Sequence, residues 1–129
     1  MMLLSSLVED DTITNKDLSV IQRLLRMSHN SLGSYHMLAA TRSPHMVGFN
    51  HVHKSSPDDW PEHVGRHAEA HLCSRYDIKG KTVYVVGRNS SGSIMRNTRP
   101  CRMCKKLLIE EGARRVVYFQ NGNIISKSL

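Results

Sequence analysis

The first third of the chain has apolar residues at helical spacing. The positions that recur on one side of a helix with about 3.6 residues per turn are Leu18, Ile21, Leu24 and Leu25. A start signal precedes them, because Thr14 is followed three residues later by Asp17, as in a helix-capping pair. We therefore predict a first helix over residues 15–29.

Apolar stretches bounded by turn residues predict the β-strands. Residues 35–41 and 46–51 are separated by Ser43 and Pro44 and should form a hairpin. Residues 81–88 contain the run Thr-Val-Tyr-Val-Val, the strongest strand signal in the chain, and residues 115–119 are a further strand. Asn121-Gly122 then separates two apolar runs, which predicts a two-residue turn and an antiparallel last strand.

Two more helices are expected between these strands. One runs from His67 to about Tyr76 and ends before Gly80, while Pro100 opens the other and Gly112 closes it. Residues 54–61 form a loop within the domain. The order strand, helix, strand predicts an α/β protein whose sheet is at least partly parallel.

Size and charge narrow the class of protein. The chain has 129 residues, of which 40% are hydrophobic, so we expect residues 1–129 to form a single domain. Residues 1–8 lack a leading positive charge and run into acidic residues, which predicts neither a signal peptide nor a membrane span. The net charge of +7 indicates a polyanionic partner without choosing between a nucleotide, a nucleic acid and an anionic surface.

Two short motifs carry the chemistry, His67-Ala68-Glu69 and Pro100-Cys101-Arg102-Met103-Cys104. Two thiols on the first turn of a helix can face one ion, and the positive end of that helix favours thiolates. His67 makes a third ligand, so Zn²⁺ would keep a fourth position for water. Glu69 would then move protons. With three cysteines in the chain, this pattern fits a metal site in a reducing, cytoplasmic compartment better than disulfides.

Other residues near these motifs have simpler interpretations. Cys73 could complete a closed structural zinc site, but six helical residues separate it from His67 by about 9 Å, so a buried thiol is favoured. We expect His71 to be packed or hydrogen-bonded beside the site rather than to bind metal. Phe49 and Trp60 could each stack on a base, although packing is the more common role for aromatic side chains.

A group of basic residues near the second motif has two possible roles. Its members are Arg102, Lys105, Lys106, Arg114 and Arg115. They could bind phosphate or nucleic acid, or they could form the solvated side of a helix. The sequence leaves these two interpretations equally open.

The motifs, together with Gly48-Phe49-Asn50, resemble the cytidine and deoxycytidylate deaminase superfamily over residues 35–126. The resemblance implies a three-layer α/β/α fold with a mixed sheet of about five strands and a C-terminal hairpin. It implies zinc held by His67, Cys101 and Cys104, with Glu69 as the catalytic residue. It also implies a homo-oligomer and substrate contacts from three residues: Asn50, Ala68 and Pro100.

The resemblance leaves the substrate open. The leading expectation is hydrolytic deamination of a cytosine nucleoside or nucleotide, because a two-residue turn before the last strand is typical of free cytidine deaminases. Those enzymes usually carry Asn-x-Glu, however, whereas Asn50 here is followed by His51 and Val52. A base deaminase acting on RNA or single-stranded DNA is the alternative that the charge favours, and a non-catalytic zinc-containing nucleic-acid-binding module is the third.

Overall fold

The computed structural model describes residues 12–28, 36–43, 45–50, 67–89 and 91–129. The elements in chain order are α1 (Asn15–Met27), β1 (His36–Ala40), β2 (Val47–Phe49), α2 (Ala68–Arg75), β3 (Thr82–Arg88), α3 (Arg102–Glu110), β4 (Arg115–Gln120) and β5 (Asn123–Ser128). The predictions made for residues 1–8 and 54–61, which include Trp60, and for Pro44 lie outside the described residues. That residues 1–129 form one domain stays a prediction.

The strands form one mixed sheet in the order β2-β1-β3-β4-β5. Strands β3 and β4 are parallel, and the other neighbours are antiparallel. The predicted last hairpin is confirmed: Gln120 pairs with Asn123, and both turn residues have positive φ, 51° at Asn121 and 83° at Gly122. Asn-Gly suits this turn because these two residues tolerate the left-handed region.

Helices cover both faces of the sheet, which confirms the three-layer α/β/α fold. Alternate residues of β3 point to opposite faces: Tyr84 and Val86 pack with α1, while Val83 and Val85 belong to the cluster beneath α2 and α3. Helix α1 begins with the predicted capping box between Thr14 and Asp17 and ends two residues before its predicted limit. In the described part of the chain, no helix is both long and apolar enough to cross a membrane.

Asp17 joins α1 to the sheet. Its fully buried carboxylate accepts hydrogen bonds from Arg115 at 2.7 Å, from Arg42 at 3.1 Å and from the hydroxyl of Tyr84. Burial acts to raise the pKa of Asp17, but the hydrogen bonds from Arg115, the Thr14 backbone and Tyr84 together hold it well below its usual range. The sequence suggested only the capping role, because the partners of Asp17 are distant along the chain.

Candidate active site

Three side chains that can bind metal converge where α2 and α3 begin. The Nδ1 atom of His67 lies 3.2 Å from Sγ of Cys104 and 3.5 Å from Sγ of Cys101. The three ligand atoms all lie within 4.8 Å of one another, and no other such group of His, Cys, Asp or Glu occurs among the described residues. The structure thus brings together the three residues that the sequence predicted as ligands.

The spacing and chemistry of these atoms fit a zinc ion. Bonds of about 2.0 Å to nitrogen and about 2.3 Å to sulfur at a tetrahedral ion place neighbouring N and S atoms about 3.5 Å apart. Burial, reinforced by the negative charges of Glu69 and Cys101, raises the pKa of the Cys104 thiol well above its ordinary range. A divalent cation would offset these negative charges, so this donor set suits zinc.

Helix α3 presents its two cysteines from its first turn. Cys101 is the N-cap residue, and its sulfur accepts a hydrogen bond of 3.4 Å from the backbone N–H of Cys104. Both sulfurs therefore lie at the positive end of the helix, which stabilises negative charge on them. The predicted helix began two residues early, at Pro100, because Pro100 and the N-cap Cys101 precede the first helical residue, Arg102.

Thr98, which the sequence did not single out, anchors the segment that leads to Cys101. Strands β3 and β4 pair directly only from Thr82 to Tyr84 on the β3 side. Beyond that point the Thr98 hydroxyl donates to the carbonyl of Val85 at 2.7 Å and accepts from the N–H of Phe119 at 2.9 Å. Thr98 is 2% exposed, so its buried hydroxyl links β3 to β4 where the two strands no longer pair directly. The available signal in the sequence was a threonine three residues before Cys101.

Helix α2 is held close to β2 by two contacts. A Cβ atom at Gly48 would lie 2.5 Å from both the carbonyl oxygen of Ala68 and the backbone nitrogen of Leu72, so only glycine fits there. One turn into the helix, Nδ1 of His71 accepts a 2.9 Å hydrogen bond from the N–H of Phe49. The expectation that His71 is hydrogen-bonded beside the site agrees with this contact. The metal-ligand group found among the described residues does not include it.

Glu69 lies in the first turn of α2 and is 4% exposed. Burial raises the pKa of its carboxyl to about 7, while hydrogen bonds with its own backbone N–H and with Cys104 oppose the rise. The predicted helix included His67, but His67 is the N-cap with an extended backbone. Because His67 is not helical, its side chain points in a different direction from that of Glu69. The imidazole faces the two cysteines, and the carboxyl of Glu69 lies beside them.

The residues predicted to contact substrate are placed differently from one another. Asn50 follows β2, and its Oδ1 accepts a hydrogen bond of 2.9 Å from the N–H of Met37. Ala68 is 1% exposed at the start of α2, and Pro100 is buried beside Cys101. Cys73 is partly buried and its thiol pKa is raised to about 12, chiefly by burial, in agreement with a packed thiol.

The predicted basic group divides into two parts. Arg102, Lys105 and Lys106 are exposed on α3 near the cysteines. Arg115 instead has a side chain that is only 14% exposed and is paired with Asp17. The charge of Arg115 thus helps to hold α1 against the sheet, while Arg114 is exposed just before β4. For the exposed residues, phosphate binding and the solvated side of a helix both stay open.

Comparisons with known proteins agree with this arrangement. A family model described as the cytidine and deoxycytidylate deaminase zinc-binding region matches residues 18–120. Among solved structures, cytidine deaminase from Burkholderia pseudomallei is similar with a TM-score of 0.57 and 17% identity, covering 90% of this chain and 93% of that one. Cytidine deaminase from Mycobacterium leprae gives a TM-score of 0.55 and 18% identity, with 88% and 94% covered. A search of curated protein sequences finds no significant match.

Proposed function

The chain belongs to the cytidine and deoxycytidylate deaminase zinc-binding family, and on that premise we propose that it hydrolytically removes the exocyclic amine from the cytosine base of a nucleoside or nucleotide. The observation that carries the proposal is a buried carboxylic acid, Glu69, beside the cluster of His67, Cys101 and Cys104. A structural zinc site has no use for such a group, whereas a deaminase needs one to move protons.

We assign zinc binding to Nδ1 of His67 and to the sulfurs of Cys101 and Cys104. Three protein ligands are typical of catalytic zinc, which keeps a further position for water, whereas structural sites commonly use four. When bound, zinc would lower the pKa of a coordinated water towards about 7 and so supply a nucleophile for C4 of cytosine at neutral pH. Both sulfurs also lie at the N-terminus of α3, whose partial positive charge would add to that of the bound ion in offsetting the burial that raises the pKa of the Cys104 thiol.

Glu69 is assigned the proton transfers. Its carboxylate would accept a proton from the attacking water and deliver it to N3 of the ring, adjacent to the attacked carbon. Glu69 would then move the proton of the new hydroxyl on C4 to the amine, so that the bond between C4 and the amine breaks, the carbonyl forms, and water and the cytosine compound give ammonia and the uracil compound. The contact with Cys104 and the nearly complete burial of Glu69 keep its carboxyl in one place and away from bulk water.

The substrate assignment rests on what the related proteins have in common. The family description names cytidine and deoxycytidylate, and the two similar structures are cytidine deaminases. Cytidine and deoxycytidylate both contain a cytosine base on a pentose. They differ in the phosphate and in the 2′-hydroxyl. The assignment also suggests a role in pyrimidine nucleotide metabolism.

We further propose that Asn50, Ala68 and Pro100 contact this substrate. The hydrogen bond from Met37 fixes the orientation of the Asn50 side chain, which would let its amide recognise the sugar or base without first being ordered. Ala68 and Pro100 directly precede Glu69 and Cys101, so both adjoin the reacting groups. Replacing Asn50 with Ala should raise KM more than it lowers kcat.

Ammonia release from a substrate panel tests the main proposal. The panel contains cytidine, deoxycytidine, CMP, dCMP, adenosine and short single-stranded RNA and DNA. We expect turnover of at least one cytosine monomer, a loss of about 10² to 10⁴-fold in Glu69→Gln, and an unchanged zinc content in that variant. Glu110→Gln makes the same chemical change at an exposed carboxylate of α3 and should leave turnover unchanged. Full activity in zinc-loaded Glu69→Gln would contradict the proposed role.

The exposed basic residues on α3 favour a second candidate function, deamination of a base in RNA or single-stranded DNA. Arg102, Lys105 and Lys106 lie on the helix that carries Cys101 and Cys104, where they could bind the backbone of a polynucleotide. Turnover restricted to the polymers of the panel, falling steeply with salt, would favour this function. Zinc binding with no turnover of any compound would instead favour the non-catalytic module.

Association into a homo-oligomer stays a prediction from the family resemblance. Sedimentation equilibrium of the zinc-loaded chain measures its mass directly. A mass of 14.6 kDa, that of one chain, would contradict this prediction.

A further inference from the structure

A basic groove lies at the end of β3 and β4 away from the cysteines. A cavity of about 530 Å³ adjoins a second of about 240 Å³, and the two share Arg42, Thr82 and Arg114. Lys81 lines the smaller cavity, and Arg115 and Ser128 line the larger one. We call these six residues the basic groove. Its size falls within the range of ligand-binding clefts, which is about 300 to 1,000 Å³.

The groove has more positive charge than its own contacts neutralise. No Asp or Glu is among the described residues that line either cavity. Asp17 is buried beneath the lining residues. It supplies one negative charge to two guanidinium groups, those of Arg42 and Arg115. Lys81 and Arg114 are exposed, and neither forms an ion pair with any described residue. Cations gathered from separate strands repel one another, so an anion from solution would stabilise this arrangement.

The lining also indicates the kind of anion. Thr82 and Ser128 add hydroxyl groups, and no described aromatic side chain lines either cavity. Arginine and hydroxyl groups together suit phosphate oxygens, whereas recognition of bases usually needs aromatic rings for stacking. The two adjoining cavities can accommodate more than one phosphate group.

The groove is separate from the deaminase site. Thr82 and Arg115 are the first residues of the parallel strands β3 and β4. Thr98, which leads to the cysteines, is bonded to Val85 and Phe119, farther along both strands. A ligand of the groove therefore binds at the opposite end of the sheet from Glu69.

We propose that the basic groove binds the phosphate groups of an oligophosphate ligand, either a free oligophosphate or the backbone of a nucleic acid. The proposal does not depend on the deaminase function, because it uses neither the metal ligands nor Glu69. A deaminase that binds a phosphate chain at a second surface would stay near nucleotide-rich or nucleic-acid-rich partners while it turns over a monomer.

Fluorescence anisotropy with a labelled 15-nucleotide oligothymidylate tests the proposal on the zinc-loaded full chain. The test variant is Lys81→Gln/Arg114→Gln, which removes two exposed charges. The control Arg26→Gln/Arg96→Gln removes two exposed charges outside the groove, one in the last turn of α1 and one beside the turn between β4 and β5. We expect Kd to rise at least about tenfold at 0.1 M salt in the groove variant, and the slope of log K against log salt to fall by about 1.4. The control should change Kd by less than about twofold, because exposed charges farther from the ligand than the Debye length are largely screened.

Further measurements separate loss of the site from loss of the fold. Lys81→Arg/Arg114→Lys keeps both charges and should bind as the wild type does, and the melting temperature of the Gln variant should match that of the wild type. An unchanged Kd in the Gln variant of the groove, or an equal loss in Arg26→Gln/Arg96→Gln, would overturn the proposal. Displacement of the oligonucleotide by millimolar tripolyphosphate assigns the site to free oligophosphates, while groove-dependent binding without displacement assigns it to a nucleic-acid backbone.

Discussion

Gly48 of β2 packs directly against the backbone of Ala68, with only 2.5 Å between the carbonyl oxygen of Ala68 and the place where a Cβ atom would stand. The atoms that meet at this contact are backbone atoms of β2 and of α2, so there is no flexible side chain that could move aside. The strand therefore sets the position of the first turn of α2, and with it the positions of His67 and Glu69.

Replacing Gly48 with Ala should displace this turn. We expect a loss of about 1 to 3 kcal/mol in the free energy of unfolding, because overpacking forces the backbone to shift. Turnover should fall by more than tenfold, since displacement of reacting groups by about 1 Å can cost about 10²-fold. Urea unfolding and ammonia release measure the two effects.

Gly92→Ala is the control for this substitution. Gly92 has φ of 87° and open space around its Cβ position, so alanine there should cost about 1 kcal/mol of backbone strain and leave turnover unchanged. Equal losses of turnover in both variants would show that the Gly48 contact does not position the site.

Replacing Thr98 with Val should weaken zinc binding from a distance. The change keeps the shape but removes the hydroxyl, leaving the buried carbonyl of Val85 and N–H of Phe119 without their partner. Each unsatisfied group costs about 1 to 3 kcal/mol, and the segment before Cys101 is then held here only by the backbone hydrogen bond of 2.8 Å from the N–H of residue 98 to the carbonyl of Phe119. We expect a lower melting temperature and faster zinc transfer to a chelator dye. Thr98→Ser keeps the hydroxyl and should restore slow transfer; transfer as fast as in Thr98→Val would argue against anchoring by this bond.

Asp17 should make the fold sensitive to acid. Its pKa is held below the unfolded value of about 3.9, so its ion pairs stabilise the fold above that pH and their contribution disappears as the pH falls below it. Asp17→Asn should lose about 3 kcal/mol at pH 6, because it removes the fully buried carboxylate that is paired with the largely buried Arg115. Urea unfolding between pH 6 and pH 3 should show the difference between wild type and Asp17→Asn shrinking towards acid. A difference that is constant with pH would exclude Asp17 as the source.

Removing zinc should destabilise the protein as well as inactivate it. A ligand at 100 times its Kd adds about 2.7 kcal/mol to the free energy of unfolding, so 1,10-phenanthroline should lower the melting temperature of the wild type. Cys104→Ser should already melt at the lower temperature and should not respond to the chelator. Cys73→Ser changes a cysteine outside the ligand cluster and should keep one zinc per chain; loss of zinc in this variant would mean that Cys73 is a ligand.

Local signals predicted most of the fold. The capping pair at Thr14, the Asn121-Gly122 turn and the apolar run of β3 each act over a few residues, so sequence alone was sufficient for them. The ligand set was also predictable, because two cysteines on one helical turn are informative by themselves. The predicted starts of α2 and α3 were less accurate. His67 and Cys101 are N-cap residues with an extended backbone, and the residue types near a helix start do not show which residue is the cap.

Long-range contacts could not be predicted in this way. Arg115 looked like a surface charge, but its partner Asp17 is 98 positions away in the sequence. The bonds of Thr98 to β3 and β4 and the packing of Gly48 on α2 depend on how the sheet is assembled. No periodicity in the sequence reports such pairings, because each of them joins segments that become neighbours only after folding.

The ligand cluster draws on two distant segments, with His67 34 positions before Cys101. An unfolded chain cannot present the three ligands together at low cost, so zinc affinity and folding are thermodynamically linked. A substitution that lies far from the metal but weakens the sheet would therefore increase the fraction of chains in a cell that have lost their zinc. Metal-free chains would in turn open more often to proteases, so zinc supply and protein lifetime would rise and fall together.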